Sequence, residues 1–96
     1  MRKAAKQDFT PAIYQLGYLN ELGMGTTPNP TAAFECYKKA AERREPQAML
    51  KLGACYLNGV GTAVDRTQAR QWLVEAAKQG SKEALQLLEK NFPDKP

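Results

Sequence analysis

Residues 46–81 read PQAMLKLGACYLNGVGTAVDRTQARQWLVEAAKQGS, and the small and apolar positions of this stretch decide the fold. Pro46 suits the first position of a helix, where its missing N–H does no harm, and Gly59 is typical of the residue just past a helix end. Asp65, with Gln68 three residues later, predicts a capping box at the start of a second helix. The stretch therefore predicts two helices joined by a glycine-containing turn.

The same pattern recurs along the chain at a constant lag of 36 residues, with no insertion. Fixed periods of this length are typical of helical repeat proteins, in which neighbouring units bury each other's apolar faces. The residues that coincide at this lag include Ala12, Ala48 and Ala84; Leu16, Leu52 and Leu88; Gly17 and Gly53; Gly23 and Gly59; Gly25 and Gly61; and the Ala-Ala pairs at 4–5, 40–41 and 76–77.

The lag predicts that residues 1–96 form a single repeat domain. About three units are expected for stability, so the incomplete units at the two ends either act as caps or mark a piece of a longer array. The predicted divisions are the end of a preceding half-repeat at 1–9, a first repeat at 10–45, a second repeat at 46–81, and a partial repeat or C-terminal cap at 82–96.

Gly17 and Gly53 fall inside predicted first helices, where glycine costs about 1 kcal/mol relative to alanine. We expect that the partner helix approaches the backbone closely at these positions, because a side chain would prevent it. The turn glycines, Gly59 and Gly61, have another use. At least one of them should adopt a positive φ, which glycine does at little cost.

The second unit resembles the Sel-1-like repeat, a relative of the tetratricopeptide repeat. The first unit departs from the pattern at Asn20, Asn29, Cys36 and Arg44. The resemblance implies an all-α, right-handed α/α superhelix, or solenoid, that acts as a non-catalytic adaptor or scaffold for a protein or peptide partner. The motif that carries it is Ala48-x3-Leu52-Gly53-x2-Tyr56-x2-Gly59-Val60-Gly61-x2-Val64-Asp65-x3-Ala69-x2-Trp72-x3-Ala76-Ala77-x2-Gly80.

First helices line the concave groove in the related tetratricopeptide fold, and carrying this over by position predicts the partner-binding residues. Two of them, Tyr14 and Tyr18, lie four residues apart on one helical face, and tyrosine is frequent among interface anchors. Ordinary packing of the N-terminal unit is the alternative explanation for both tyrosines. The predicted partner-binding residues are Tyr14, Tyr18, Glu21, Leu50, Ala54, Leu57, Gln86 and Lys90.

The two cysteines, Cys36 and Cys55, coincide at the lag with Trp72 and Leu19, so both are expected at core positions. Free cysteine behaves as a small hydrophobic residue, and buried thiols are the main prediction. A disulfide between them is the minority alternative, because they lie on consecutive antiparallel helices at similar distances from the intervening turn.

The sequence argues against an enzyme. It has no histidine, which removes the commonest general base and metal ligand, and its only serine, Ser81, lies at a predicted helix cap. Glu42 and Glu45 stand isolated among arginines and form no metal-binding cluster. We therefore predict no catalytic residue, no metal, no cofactor and no small-molecule substrate.

The net charge of +4 is a mild basic excess, and the basic residues are not interleaved with aromatic ones, so a nucleic-acid partner is disfavoured and ranks third. Self-assembly by stacking of open repeat ends ranks second. No apolar stretch is long enough to span a bilayer or to form a signal peptide. The expected location is cytoplasmic, although a secreted or periplasmic protein that had lost its signal would give the same sequence.

Overall fold

The computed structural model describes residues 10–23 and 27–93, and these residues form α-helices and no strand. Each helix packs against the helix that follows it in the chain, which gives an all-α helical repeat solenoid. The predicted half-repeat at 1–9, Gly25 in the first turn and the last residues, 94–96, lie outside the described residues. The helices are α1 (Thr10–Leu22), α2 (Pro30–Glu42), α3 (Pro46–Asn58), α4 (Arg66–Lys78) and α5 (Lys82–Asn91).

Side chains cap three of the helix N-termini. The side-chain oxygens of Asn29, Asp65 and Ser81 each accept a hydrogen bond from the backbone N–H three residues later, at 3.0, 3.1 and 3.1 Å. Each bond satisfies one of the backbone donors that a helix start leaves without an internal partner. Proline follows at the first helical position of α2 and α3, as the sequence predicts for Pro46.

The capping box predicted at Asp65 is only half formed. Its carboxylate accepts from the backbone N–H of Gln68, but its own N–H donates to the carbonyl of Tyr56 at 2.9 Å. The Gln68 side chain therefore has no donor left to accept from, and the reciprocal half of the prediction is wrong. The equivalent bond in the first unit joins the Asn29 N–H to the Asn20 carbonyl at 2.8 Å. The same backbone hydrogen bond across the turn therefore recurs at the 36-residue lag.

Left-handed residues follow the helix C-termini. Gly23 and Gly59 adopt φ of 72° and 71° after α1 and α3, as predicted for helix-ending glycines. Gly80 has φ of 98° after α4, and its counterpart after α2 is Arg44, with φ of 71°. A non-glycine residue pays about 1–2 kcal/mol for this conformation. The Arg44 guanidinium lies 3.1 Å from a carboxylate oxygen of Glu75, which joins the ends of two successive units.

Glycine permits close approach within each helical hairpin. A Cβ atom at Gly17 would lie 2.9 Å from the ring of Tyr37, and one at Gly53 would lie 2.8 Å from Cγ of Leu73. Tyr37 and Leu73 are almost completely buried. The expected close packing at both internal glycines is therefore present, and it lets two of the largest fully buried side chains, Tyr37 of α2 and Leu73 of α4, pack directly on the first helices.

The turn between α3 and α4 packs against the preceding unit. Gly61 has φ of 74°, and a Cβ atom there would collide with the Pro30 carbonyl oxygen and lie 2.7 Å from Cβ of Phe34. The Phe34 ring meets the ring of Tyr56 edge-on, with centroids 5.4 Å apart. The second glycine of the turn therefore serves both the turn conformation and the joint between units.

Replacing Gly61 by alanine should lower the free energy of unfolding more than the same change at Gly80. Both residues have positive φ, so each variant pays the left-handed cost of about 1–2 kcal/mol. Only at Gly61 does the new methyl group collide with α2, which adds about 1–3 kcal/mol, whereas nothing lies within 4 Å of it at Gly80. Urea unfolding followed by circular dichroism measures both losses. Equal losses would contradict the packing role of Gly61.

Candidate peptide-binding groove

A groove of about 430 Å³ crosses α1, α3 and α5, which are the first helices of three successive units. A neighbouring depression of about 410 Å³ extends it towards the α4–α5 turn and shares Gln47, Leu50 and Glu83 with it. The path is therefore elongated. We call the first of these depressions the first-helix groove, and its lining residues are Tyr14, Gln47, Leu50, Lys51, Ala54, Glu83, Gln86, Leu87 and Lys90.

The first-helix groove contains five of the eight residues predicted to contact a partner. These five come from helices that are separated by a full repeat along the chain, yet they line one continuous surface. They are Tyr14, Leu50, Ala54, Gln86 and Lys90.

The other three predicted residues, Tyr18, Glu21 and Leu57, do not line the groove. Tyr18 is 39% exposed and lies beside it, with its ring centroid 5.6 Å from Nζ of Lys51. Leu57 is half-buried and comes after Ala54, the last lining residue of α3. The groove is shorter than the first helices themselves, which is why Leu57 is left out.

Glu21 has a structural role that its sequence position did not reveal. Its carboxylate accepts a hydrogen bond of 2.5 Å from the hydroxyl of Tyr37 and lies 3.8 Å from Nζ of Lys51. Burial, reinforced by this hydrogen bond, raises the pKa of Tyr37 well above its ordinary range. Glu21 therefore fixes α1 to α2 and orients a lysine of the groove.

Tyr14 belongs both to the groove and to the packing of the first unit. Its ring lies 5.7 Å from the ring of Tyr37 at an angle of 42°, and it packs against the core. Burial raises the pKa of the Tyr14 hydroxyl above its ordinary value. Tyr14 can have both roles because its ring contacts Tyr37 of α2 while the residue also borders the groove.

Sequence reasoning missed four lining residues, Gln47, Lys51, Glu83 and Leu87. A signal for them does exist. The lining residues of α3 are spaced 0, 3, 4 and 7 from Gln47, and those of α5 have the same spacing from Glu83, exactly one repeat later. This spacing is one face of an α-helix. Extending each predicted residue to its helical face would have found the rest.

A separate depression of about 490 Å³ lies over α4. Apart from Arg44, every residue that lines it belongs to this one helix, so no second helix provides an opposing wall. Glu75 within it pairs with Arg44 at 3.1 Å and with Lys78 at 3.7 Å, and the Arg44 hydrogen bond, followed by Lys78, lowers the pKa of Glu75. The lining residues are Arg44, Gln68, Arg70, Gln71, Trp72, Val74 and Glu75.

Both cysteines are free thiols in the structure. Cys55 is 5% exposed in the core, as expected, and burial raises its pKa to about 11. Cys36 is only half-buried, so its expected core position is corrected. Its counterpart one repeat later, Trp72, is half-buried as well, so this position lies at the edge of the core in both units. Burial also raises the pKa of Cys36, against the opposing charge of Lys39.

The described residues contain no group of three histidine, cysteine, aspartate or glutamate side chains that could hold a metal ion. Among the same residues, no helix is both long enough and apolar enough to cross a membrane.

The fold is that of an all-α helical repeat protein in which three successive first helices share one groove. The chain belongs to the Sel1 repeat family, since the model of the Sel1 repeat matches residues 10–44 and 46–81. Members of this family typically serve as scaffolds for protein interactions and are generally non-catalytic.

The proteins similar to this chain include three from different organisms. Chitin synthase regulatory factor 3 of Schizosaccharomyces pombe is 30% identical over 86 residues, which cover 88% of this chain and 9% of that protein. A solved Sel1 repeat protein from Oxalobacter formigenes is 32% identical with a TM-score of 0.82, covering 84% of this chain and 23% of the other.

The third is c5321, a protective antigen present in uropathogenic Escherichia coli strains that displays an SLR fold. It is 31% identical with a TM-score of 0.81, covering 91% of this chain and 20% of the other. The chain thus spans less than a quarter of each of these three proteins.

Cys36 should react with iodoacetamide faster than Cys55 in the folded protein at about pH 8, because the thiolate is the reacting form and Cys55 is both buried and shifted to a higher pKa. Peptide mass spectrometry measures the two rates, and unfolding in urea should make them similar. Equal rates in the folded protein would contradict the assigned burial. If both cysteines took up iodoacetamide only after addition of a reductant, a disulfide between Cys36 and Cys55 would be shown instead.

Proposed function

We propose that this chain is a non-catalytic scaffold that binds a segment of a partner protein in the first-helix groove. The observation that carries the proposal is that three first helices, each from a different unit, contribute to one elongated groove. Binding sites are concave, and rigid elements of secondary structure hold their lining residues in place more firmly than loops do.

The groove supports binding without a large conformational change. Leu50 and Leu87 are half-buried and pack against the core, so the order of their side chains is already established before a partner arrives. Association then costs less conformational entropy than it would on a mobile surface. A passive scaffold of this kind presents fixed side chains and performs no chemical step.

The relatives support the same interpretation. The fission yeast protein bears the name of a regulatory factor, and regulation by holding another protein is what a scaffold does. The family as a whole suggests protein partners.

Replacing Ala54 by glutamine should weaken binding of groove-directed peptides by about tenfold or more, because the longer side chain fills the groove between α3 and α5. Ala63→Gln is the matched control, since Ala63 is exposed in the α3–α4 turn and does not line the groove. Fluorescence anisotropy with peptides selected from a random library measures both. If Ala54→Gln and Ala63→Gln bind every selected peptide alike, the groove is not the binding site.

Self-association through the outer face of α1 is a second candidate function. Leu16 and Leu19 are 53% and 44% exposed, whereas their counterparts one repeat later, Leu52 and Cys55, are 0% and 5% exposed. In the second unit this face is covered by α2, which packs against α3. The corresponding face of α1 presents apolar side chains to solvent, and such patches often mark interaction sites.

A charge on this face should prevent self-association. If α1 mediates stacking, the mass measured by sedimentation velocity should rise with concentration for the unmodified chain and stay monomeric for Leu16→Lys. Val64→Lys is the control, because Val64 is 57% exposed but lies in the α3–α4 turn. A monomer at every concentration rules out the second candidate and leaves the peptide scaffold standing.

A further inference from the structure

We infer that the first-helix groove selects an acidic peptide segment, in which an apolar side chain rests beside Leu50 and Leu87 and carboxylates meet Lys51 and Lys90. The inference rests on the proposed scaffold function and adds the chemistry of the ligand and its direction in the groove.

The apolar part of the groove comes from three helices. Tyr14 on α1, Leu50 on α3 and Leu87 on α5 are each half-buried and pack against the core. Ala54 beside them is small and leaves depth in the groove. An aliphatic or aromatic side chain of a ligand would lose contact with water here without disturbing the fold, which is the main favourable contribution to association.

Lys51 lines the groove, and two neighbours on α1 restrict the position of its ammonium group. Its Nζ lies 3.8 Å from the carboxylate of Glu21 and 5.6 Å from the ring centroid of Tyr18. The same carboxylate of Glu21 is engaged by the Tyr37 hydroxyl, so it is fixed in position and its charge is shared. An ammonium group has three N–H donors, and the Glu21 contact needs only one. The remaining donors of Lys51 can bind a ligand carboxylate.

Lys90 supplies a second cation on the opposite helix wall. It lies in the last turn of α5, at the position that Ala54 occupies one repeat earlier, and both residues line the groove. Hydrogen bonds between an ammonium and a carboxylate are about twice as strong as neutral ones. Two lysines on two helices therefore favour a ligand that carries carboxylates close to its apolar anchor.

The charges also give the groove a direction. Glu83 lies in the first turn of α5 and Lys90 in its last turn, so the two ends of this wall have opposite charge. Gln47, the neutral counterpart of Glu83 one repeat earlier, lies in the first turn of α3. An acidic segment avoids Glu83, because like charges repel, and places its carboxylates at the Lys90 end.

A peptide fits this surface better than a nucleic acid does. Bases bind single-strand sites by stacking on exposed aromatic faces, and the aromatic ring that lines the groove, Tyr14, already packs against Tyr37. Two basic residues that pair with Glu75, Arg44 and Lys78, do not line the groove, so they do not extend its cationic surface.

The test uses random peptides displayed on phage and selected on the 96-residue chain. We expect the enriched peptides to place aspartate or glutamate next to a large apolar residue. Binding of a synthetic copy of an enriched peptide should fall about tenfold in the variant Lys51→Gln/Lys90→Gln and weaken as sodium chloride is raised. The control Lys38→Gln/Lys39→Gln removes the same charge from exposed positions of α2 outside the groove and should leave affinity unchanged.

Direction is tested with Glu83→Gln, which should raise the affinity of the acidic peptide by about two- to threefold, because it removes a repulsive charge. A decrease would overturn the proposed direction. Enriched peptides that are neutral or basic, yet sensitive to Ala54→Gln, would overturn the acidic selectivity and leave the scaffold function intact. If no enriched peptide is sensitive to Ala54→Gln, the scaffold function fails as well. Tighter groove binding by a single-stranded DNA probe would also contradict the inference.

Discussion

The packing of Leu73 against Gly53 is the contact on which the second unit depends, and Tyr37 against Gly17 is its counterpart in the first. Glycine inside a helix costs about 1 kcal/mol relative to alanine. Full burial of a leucine side chain contributes about 1.5–3 kcal/mol, so the exchange favours folding. A Cβ atom at either glycine would push the second helix away from the first. The two helices of each hairpin therefore approach each other most closely at the internal glycine. Because this approach is the same in both hairpins, the first helices take equivalent positions.

The joints between units repeat as closely as the hairpins do. The Glu45 N–H donates to the Ala40 carbonyl at 3.1 Å, and Ser81 donates to Ala76 at the same distance. Gly61 lets the α3–α4 turn pack closely against α2. Since each joint has the same backbone geometry, residues one repeat apart occupy equivalent places on successive helices. A continuous groove arises from this regularity alone, without any loop having to fold over it.

The sequence predicted the local features well and the long-range ones only in part. Helix ends were predictable, because a cap such as Ser81 or a turn glycine such as Gly59 acts within a few residues. The role of Glu21 was not, since its partner, the Tyr37 hydroxyl, lies 16 residues away on another helix. Groove boundaries likewise depend on how three helices pack together, which periodicity does not encode. For this reason Leu57 was included although it does not line the groove, whereas Lys51 was overlooked although the helical spacing of the lining residues predicts it.

Residues that recur at the 36-residue lag and residues that differ between units have different roles in this fold. Leu52 is identical to Leu16 one repeat earlier, yet Leu52 is fully buried where α2 packs against α3, and Leu16 is 53% exposed. Positions that line the groove differ between units instead: Tyr14, Leu50 and Gln86 are equivalent but chemically unlike. The close contacts at Gly17 and Gly53 come from residues of α2 and α4, so the residues at positions 50 and 86 can change without removing them. Ligand selectivity in such a scaffold is therefore free to vary while the packing stays constant.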